Sequence, residues 1–156
     1  MQKSIKLGAI GAMAVIFLGA GGMGFAQDKM AQVKARQDFM KAQGADAKAI
    51  VDYSKGEGDQ AKALAAANDL VARSAKIVDM FPAGTSSEDV KESKAKPEIW
   101  KDWDKVKMIP SAMHAEEMKL IDEIKKGDQK AVGAQWGNVG KAGCGACHNN
   151  YRVKAS

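Results

Sequence analysis

Aromatic residues make up only 6% of the chain and there are three prolines. No run alternates β-branched or aromatic residues with polar ones at period two, and no hairpin dipeptide joins two such runs. Nothing therefore reads as a β-strand. P-loop, zincin helix, nucleophile elbow and dinucleotide fingerprint are all missing. Lys and Arg do not gather into a dense patch interleaved with aromatics, so nucleic acid is not expected as a partner despite a pI of about 9.1. Cysteine occurs twice, as Cys144 and Cys147, and histidine twice, as His114 and His148.

The composition that is present, 46% hydrophobic and 28% charged over 156 residues, is that of one small folded domain, neither disordered nor membrane-filling. The first 26 residues stand apart. "MQKSIK" is a short basic start, "LGAIGAMAVIFLGAGGMGF" is uncharged and apolar, and "GFA" supplies small residues before Gln27. This pattern predicts a secretory signal peptide, residues 1–26, cleaved after Ala26. An uncleaved membrane anchor is the alternative, since the run is about long enough to span a bilayer. After cleavage, 22 basic residues face 19 acidic ones, a mild bias that suits docking to an acidic protein.

Helical spacing runs through the remainder. Met30, Val33, Met40, Ala47 and Ile50 mark one stripe from Asp28 to about Lys55. Leu64, Ala67, Leu70, Val71, Ile77 and Val78 mark a second from Gln60 to Met80, with alanines at 63, 65, 66 and 67 adding helix propensity. The 17 residues "FPAGTSSEDVKESKAKP" read as the longest irregular connection, their serines as turn formers. A third helix is expected to open near Pro97, carry Trp100 to Ile124, and be kinked or split at Pro110. A fourth opens at Asp128, a good cap, and runs to Tyr151. The expected fold is all-α, an antiparallel four-helix bundle over residues 27–156.

The last helix contains Gly133, Gly137, Gly140, Gly143 and Gly145. Each costs about 1 kcal/mol relative to Ala inside a helix. Loss of side-chain bulk would let something large and flat lie against this backbone. In the same segment, Cys144-Gly-Ala-Cys147-His148 has the C-x-x-C-H spacing of c-type haem attachment. Two thiols three residues apart on a helix share nearly one face and can meet the two vinyl groups of a porphyrin, while the next imidazole reaches the iron. Three other uses of these cysteines are a thioredoxin-like redox pair, a zinc site with His114, and a structural disulfide. The first wants a βαβ context, the second would crowd Cys147 and His148 on one ion, and the third closes too small a loop to stabilise much.

A C-x-x-C-H near the carboxyl terminus of a four-helix chain resembles the class II cytochromes c, cytochrome c′ and cytochrome c-556. "VKARQDFMKAQG", "FPAGTS", "KPEIW" and "CHNNYR" extend the resemblance over nearly all of the chain after residue 26. It implies one covalent haem c on Cys144 and Cys147, His148 as proximal iron ligand, Arg152 near that ligand, and Arg36 near a haem propionate. It places Met40 where c-556-type members have the sixth ligand and cytochrome c′ has a crowded distal pocket.

Met40 lies on the first apolar stripe, and Gly44 one turn later leaves room beside it. The reading preferred from sequence is a periplasmic electron carrier with low-spin His148/Met40 coordination. The alternative is a five-coordinate, high-spin cytochrome c′ that binds NO or CO. Neither is an enzyme. Redox proteins are the expected partners, steered by Lys130, Lys141, Arg152 and Lys154. A homodimer through the first two helices is implied by the resemblance, and no membrane insertion is expected once the signal is removed. His114, beside Glu116 and Glu117, is expected on a polar surface.

Overall fold

A computed structural model describes residues 21–154, with side chains from Gln27 onward. Most of the expected signal peptide, 1–26, lies outside the described residues. Its last six backbone positions continue the first helix, α1, which spans Gly21–Ser54.

Helix α2 is Gln60–Ser74 and is followed by a 3₁₀ turn, Ile77–Met80. Two single-turn helices come next, α3 (Glu98–Lys101) and α4 (Trp103–Val106). Helix α5 is Ile109–Lys126 and α6 is Gln129–Val139. The chain then widens into a π-helical segment, Gly140–Gly145, and ends in α7, Ala146–Tyr151. Among the described residues there is no strand, only an isolated bridge between Ala95 and Arg152.

Local chemistry sets these limits. Asp59 accepts from the Lys62 amide at 2.9 Å and Asp128 from the Ala131 amide at 3.0 Å, each satisfying one orphan donor of a helix start. Gly127, at φ 82°, closes α5 in a left-handed conformation. Pro110 does not kink a long third helix: it sits in the first turn of α5, where a missing backbone donor costs nothing. The expected third helix is instead three pieces. The second also ends at Ser74, short of Met80.

Packing runs α1 on α2, α2 on α5, α5 on α6 and α6 back on α1, which closes a four-helix bundle. Ile50, Leu70, Leu120, Ile124 and Val132 are fully or almost fully buried at its centre. Truncating such a leucine to alanine costs about 2–5 kcal/mol. The face of α2 toward the core is built on Ala63, Ala66, Ala67 and Leu70, while Leu64 and Val71 flank it. Its alanines are therefore packing residues as well as helix formers. Met30 leaves the expected stripe and is 40% exposed.

Candidate haem site

At one end of the bundle a cavity of about 460 Å³ opens between α1, the 3₁₀ turn, α5 and the C-terminal segment. Cys144, Cys147, His148 and Arg152 line it from one side. Val33, Arg36, Met40 and Gln43 line it from α1, and Phe81, Ile99, Ile109, Pro110 and Met113 complete much of the wall. Five of the residues singled out from sequence thus join Met40 at one cavity. His114 does not: its side chain is 53% exposed, with Nδ1 3.9 Å from Glu117.

The C-x-x-C-H stretch straddles the junction of the π-helical segment and α7. Wider π turns insert an extra residue into a helix and are frequent at functional sites. Gly143 shows why a glycine belongs here. A Cβ at that position would collide with Met113, whose Sδ and Cγ occupy the space and whose Cβ is 2.9 Å away. Gly137 and Gly140 face open space and Gly133 makes ordinary contact with Ser54. At Gly143, which also lines the cavity, the missing side chain lets Met113 approach the backbone.

Burial pushes both thiols up, Cys144 with a further contribution from the charge of Glu117 and Cys147 from that of Cys144. Redox-active cysteines need the opposite shift. Both are free and do not form a disulfide. For His148, burial first and then the nearby Arg152 charge lower the imidazole pKa, which keeps a ring nitrogen lone pair available as a ligand.

Arg36, which the resemblance places near a haem propionate, is 5% exposed. Nη1 donates to the Met80 carbonyl at 3.2 Å and to Thr85 Oγ1 at 2.9 Å. Nη2 donates to the Thr85 carbonyl at 2.8 Å and to Ser93 Oγ at 2.9 Å. The guanidinium also lies 4.9 Å from the Phe81 ring centroid. All its hydrogen-bond partners among the described residues are neutral, so one buried positive charge stands at the cavity wall with no carboxylate bonded to it there.

The 81–97 connection carries more than turn chemistry. Thr85, Ser86 and Ser93 are buried. Ser86 and Asp89 form a local turn at 2.6 Å, as expected, but Thr85 and Ser93 hold Arg36. The loop is also stitched to the haem-motif segment. The Lys96 amide donates to the Tyr151 carbonyl and the Val153 amide to the Lys94 carbonyl, each at 2.9 Å. Trp100 Nε1 donates to the Phe81 carbonyl at 3.1 Å. Sequence offers one hint of this, a Ser/Thr cluster within a long loop.

Glu117 also departs from the sequence reading. It is 1% exposed, not part of a polar face, and accepts from Ser74 Oγ at 2.8 Å.

The cytochrome C′ family model matches residues 31–152. The chain belongs to the cytochrome c′ family. Cytochrome c′ of Cereibacter sphaeroides is 35% identical over 91 residues, which is 58% of this chain and 60% of that protein. Cytochrome c-556 of Agrobacterium tumefaciens is 34% identical over 90 residues, 58% of this chain and 69% of that one. The solved cytochrome c′ from Rhodobacter spheriodes superposes with a TM-score of 0.73 at 31% identity, covering 81% of this chain and 98% of that one. A nitric oxide complex of the L16I mutant of cytochrome c prime from Alcaligenes xylosoxidans superposes at 0.68 with 30% identity, covering 81% and 97%.

Cytochrome c′ family proteins carry a covalently attached c-type haem with iron, and haem c is the cofactor of this chain. The cavity residues fit it. Two free, neutral, half-buried thiols, an imidazole of lowered pKa and a largely apolar wall meet in one space. No described helix is long and apolar enough to cross a membrane.

Proposed function

We propose that this member of the cytochrome c′ family is a periplasmic haem protein that binds NO or CO on the side of the haem opposite His148. Cys144 and Cys147 would hold the haem through thioether bonds and His148 through its imidazole. When bound, the haem supplies an iron that accepts one electron and a diatomic ligand. Met40 and Val33 contribute apolar surface to the opposing wall, which would exclude water and leave space only for a small uncharged ligand. Arg36 would hold a propionate while keeping α1 fixed to the loop, and Arg152 would keep His148 neutral. The protein acts without substrate turnover, and a homodimer through α1 and α2 accompanies this reading.

The observation that carries it is the likeness over four fifths of the chain to a solved cytochrome c prime whose complex is with nitric oxide. Optical spectra of the reduced holoprotein with and without CO test it. A broad high-spin spectrum that shifts on adding CO is expected. Sharp low-spin bands that ignore CO would overturn it.

Two observations favour the second reading, a His148/Met40 electron carrier. Met40 is half-buried in the cavity wall, and a cytochrome c-556 is among the relatives. A thioether is a competent sixth ligand that raises the reduction potential. Under that reading Met40→Ala opens the site to CO, and Lys141→Glu with Lys154→Glu slows transfer to an acidic partner and weakens its salt dependence.

A further inference from the structure

Glu117 lies on the inner face of α5, one turn beyond the cavity residue Met113. Its Oε2 is 2.8 Å from Ser74 Oγ, and its Oε1 is buried with no hydrogen-bond partner among the described residues. Ser74 Oγ is also 3.0 Å from the Val71 carbonyl oxygen. A hydroxyl has one proton to give, and a carbonyl only accepts. When Ser74 donates to Val71, its contact with Glu117 is a hydrogen bond only if the carboxyl supplies the proton. The acid form therefore satisfies both contacts. The carboxylate satisfies one of them and leaves a charge in the core, which is costly in a low-dielectric interior.

Few groups act on this carboxyl. His114, on the same helix, has Nδ1 3.9 Å away at the surface. The Cys144 thiol approaches from the π-helical segment closely enough to be raised by the Glu117 charge, and α2 offers only the Ser74 hydroxyl. Burial raises the carboxyl's own pKa, against smaller opposing effects of Ser74 and His114. Met113 links the position to the cavity, since it fills the space over Gly143, the neighbour of Cys144.

We propose that Glu117 is a proton-binding site linked to the oxidation state of the haem: the protein takes up a proton at this carboxylate when it is reduced and releases it when oxidised. The balance is one electron from an external one-electron donor and one proton from solvent, giving ferrous haem and a neutral carboxylic acid from ferric haem and a carboxylate. The only bond formed in the protein is O–H. An electron added nearby disfavours the carboxylate, and linkage makes the reverse true. The proposal rests on haem attachment at Cys144, and holds whether the sixth iron position is open or filled.

Spectroelectrochemical titration of the holoprotein from about pH 5 to about pH 9 tests it. The midpoint potential is expected to fall as pH rises, by about 59 mV for a tenfold greater proton affinity of the reduced state. In Glu117→Gln the slope is expected to vanish, together with a carboxyl C=O band in the reduced-minus-oxidised infrared spectrum. His114→Gln should keep both. If Glu117→Gln does not fold, Ser74→Ala decides, because removing the hydroxyl must move the pH window. A slope that survives Glu117→Gln, vanishes in His114→Gln, or is unmoved in Ser74→Ala overturns the proposal. A haem-loaded protein with a flat wild-type profile overturns it while leaving the functional reading intact, whereas failure to bind haem overturns both.

Discussion

Arg36 and Thr85, 49 positions apart, share two hydrogen bonds: Nη1 to the threonine Oγ1 at 2.9 Å and Nη2 to its carbonyl oxygen at 2.8 Å. Together with the bonds to Met80 and Ser93, they make one buried guanidinium the peg on which the 81–97 connection hangs. That connection in turn holds the backbone around Tyr151 and Val153, three to five residues past His148.

Replacing Arg36 should therefore loosen the loop as well as the cavity. Arg36→Met is expected to lower stability by roughly 3 kcal/mol, since bonds to a charged donor contribute about 1.5–3 kcal/mol and buried acceptors are left unpaired. Lys at this position keeps the charge but not the fork, and should recover only part of the loss. Urea unfolding of the variants, with limited proteolysis of the 81–97 segment, measures both effects.

Two glycines of the same helical stretch should respond with opposite sign. Gly143→Ala drives a methyl into Met113 and is expected to cost about 1–3 kcal/mol, relieved in the double variant with Met113→Ala. Gly137→Ala meets nothing within 4 Å and should stabilise by about 0.5–1 kcal/mol through helix propensity. Thermal unfolding of the three variants separates these cases.

The raised pKa of Glu117 has a consequence for stability. Its ordinary value is 4.5 and burial lifts it in the folded state, so between the two values the native protein holds more protons than the unfolded chain. Its contribution to stability is then complete below about pH 4.5 and is lost as pH rises through the folded value. Denaturant titrations at several pH values should show wild type losing stability across that window relative to Glu117→Gln. Parallel curves for the two proteins would contradict it.

Cys144→Ser and Cys147→Ser should each leave haem attached by one thioether, and the double variant by none. Acidified organic solvent is expected to extract haem from the double variant alone, which a pyridine haemochrome assay of the pellet and supernatant would register. Extraction from wild type would contradict the assigned attachment.

Much of this protein is determined by local pattern. Apolar residues at helical spacing, Asp59 and Asp128 as caps and Gly127 as a stop act within a few positions of one another, so they are legible without knowing the fold. The C-x-x-C-H spacing is likewise local, and it places two thiols and an imidazole on one short stretch in any helical context.

The tertiary structure decided what depends on partners far away in the chain. Arg36 is buried because Thr85 and Ser93 come to it from a loop, and Glu117 because α2 brings Ser74 across the bundle; nothing within one turn of either residue announces this. Pro110 begins a helix instead of bending one because α4 ends at Val106, before it. Met40 faces the cavity while Met30, on the same helix, faces outward, since the cavity occupies one end of the bundle and a periodic stripe has no ends. Periodicity fixes which face turns inward, but the depth of burial and the company a polar group keeps there are properties of the packed chain.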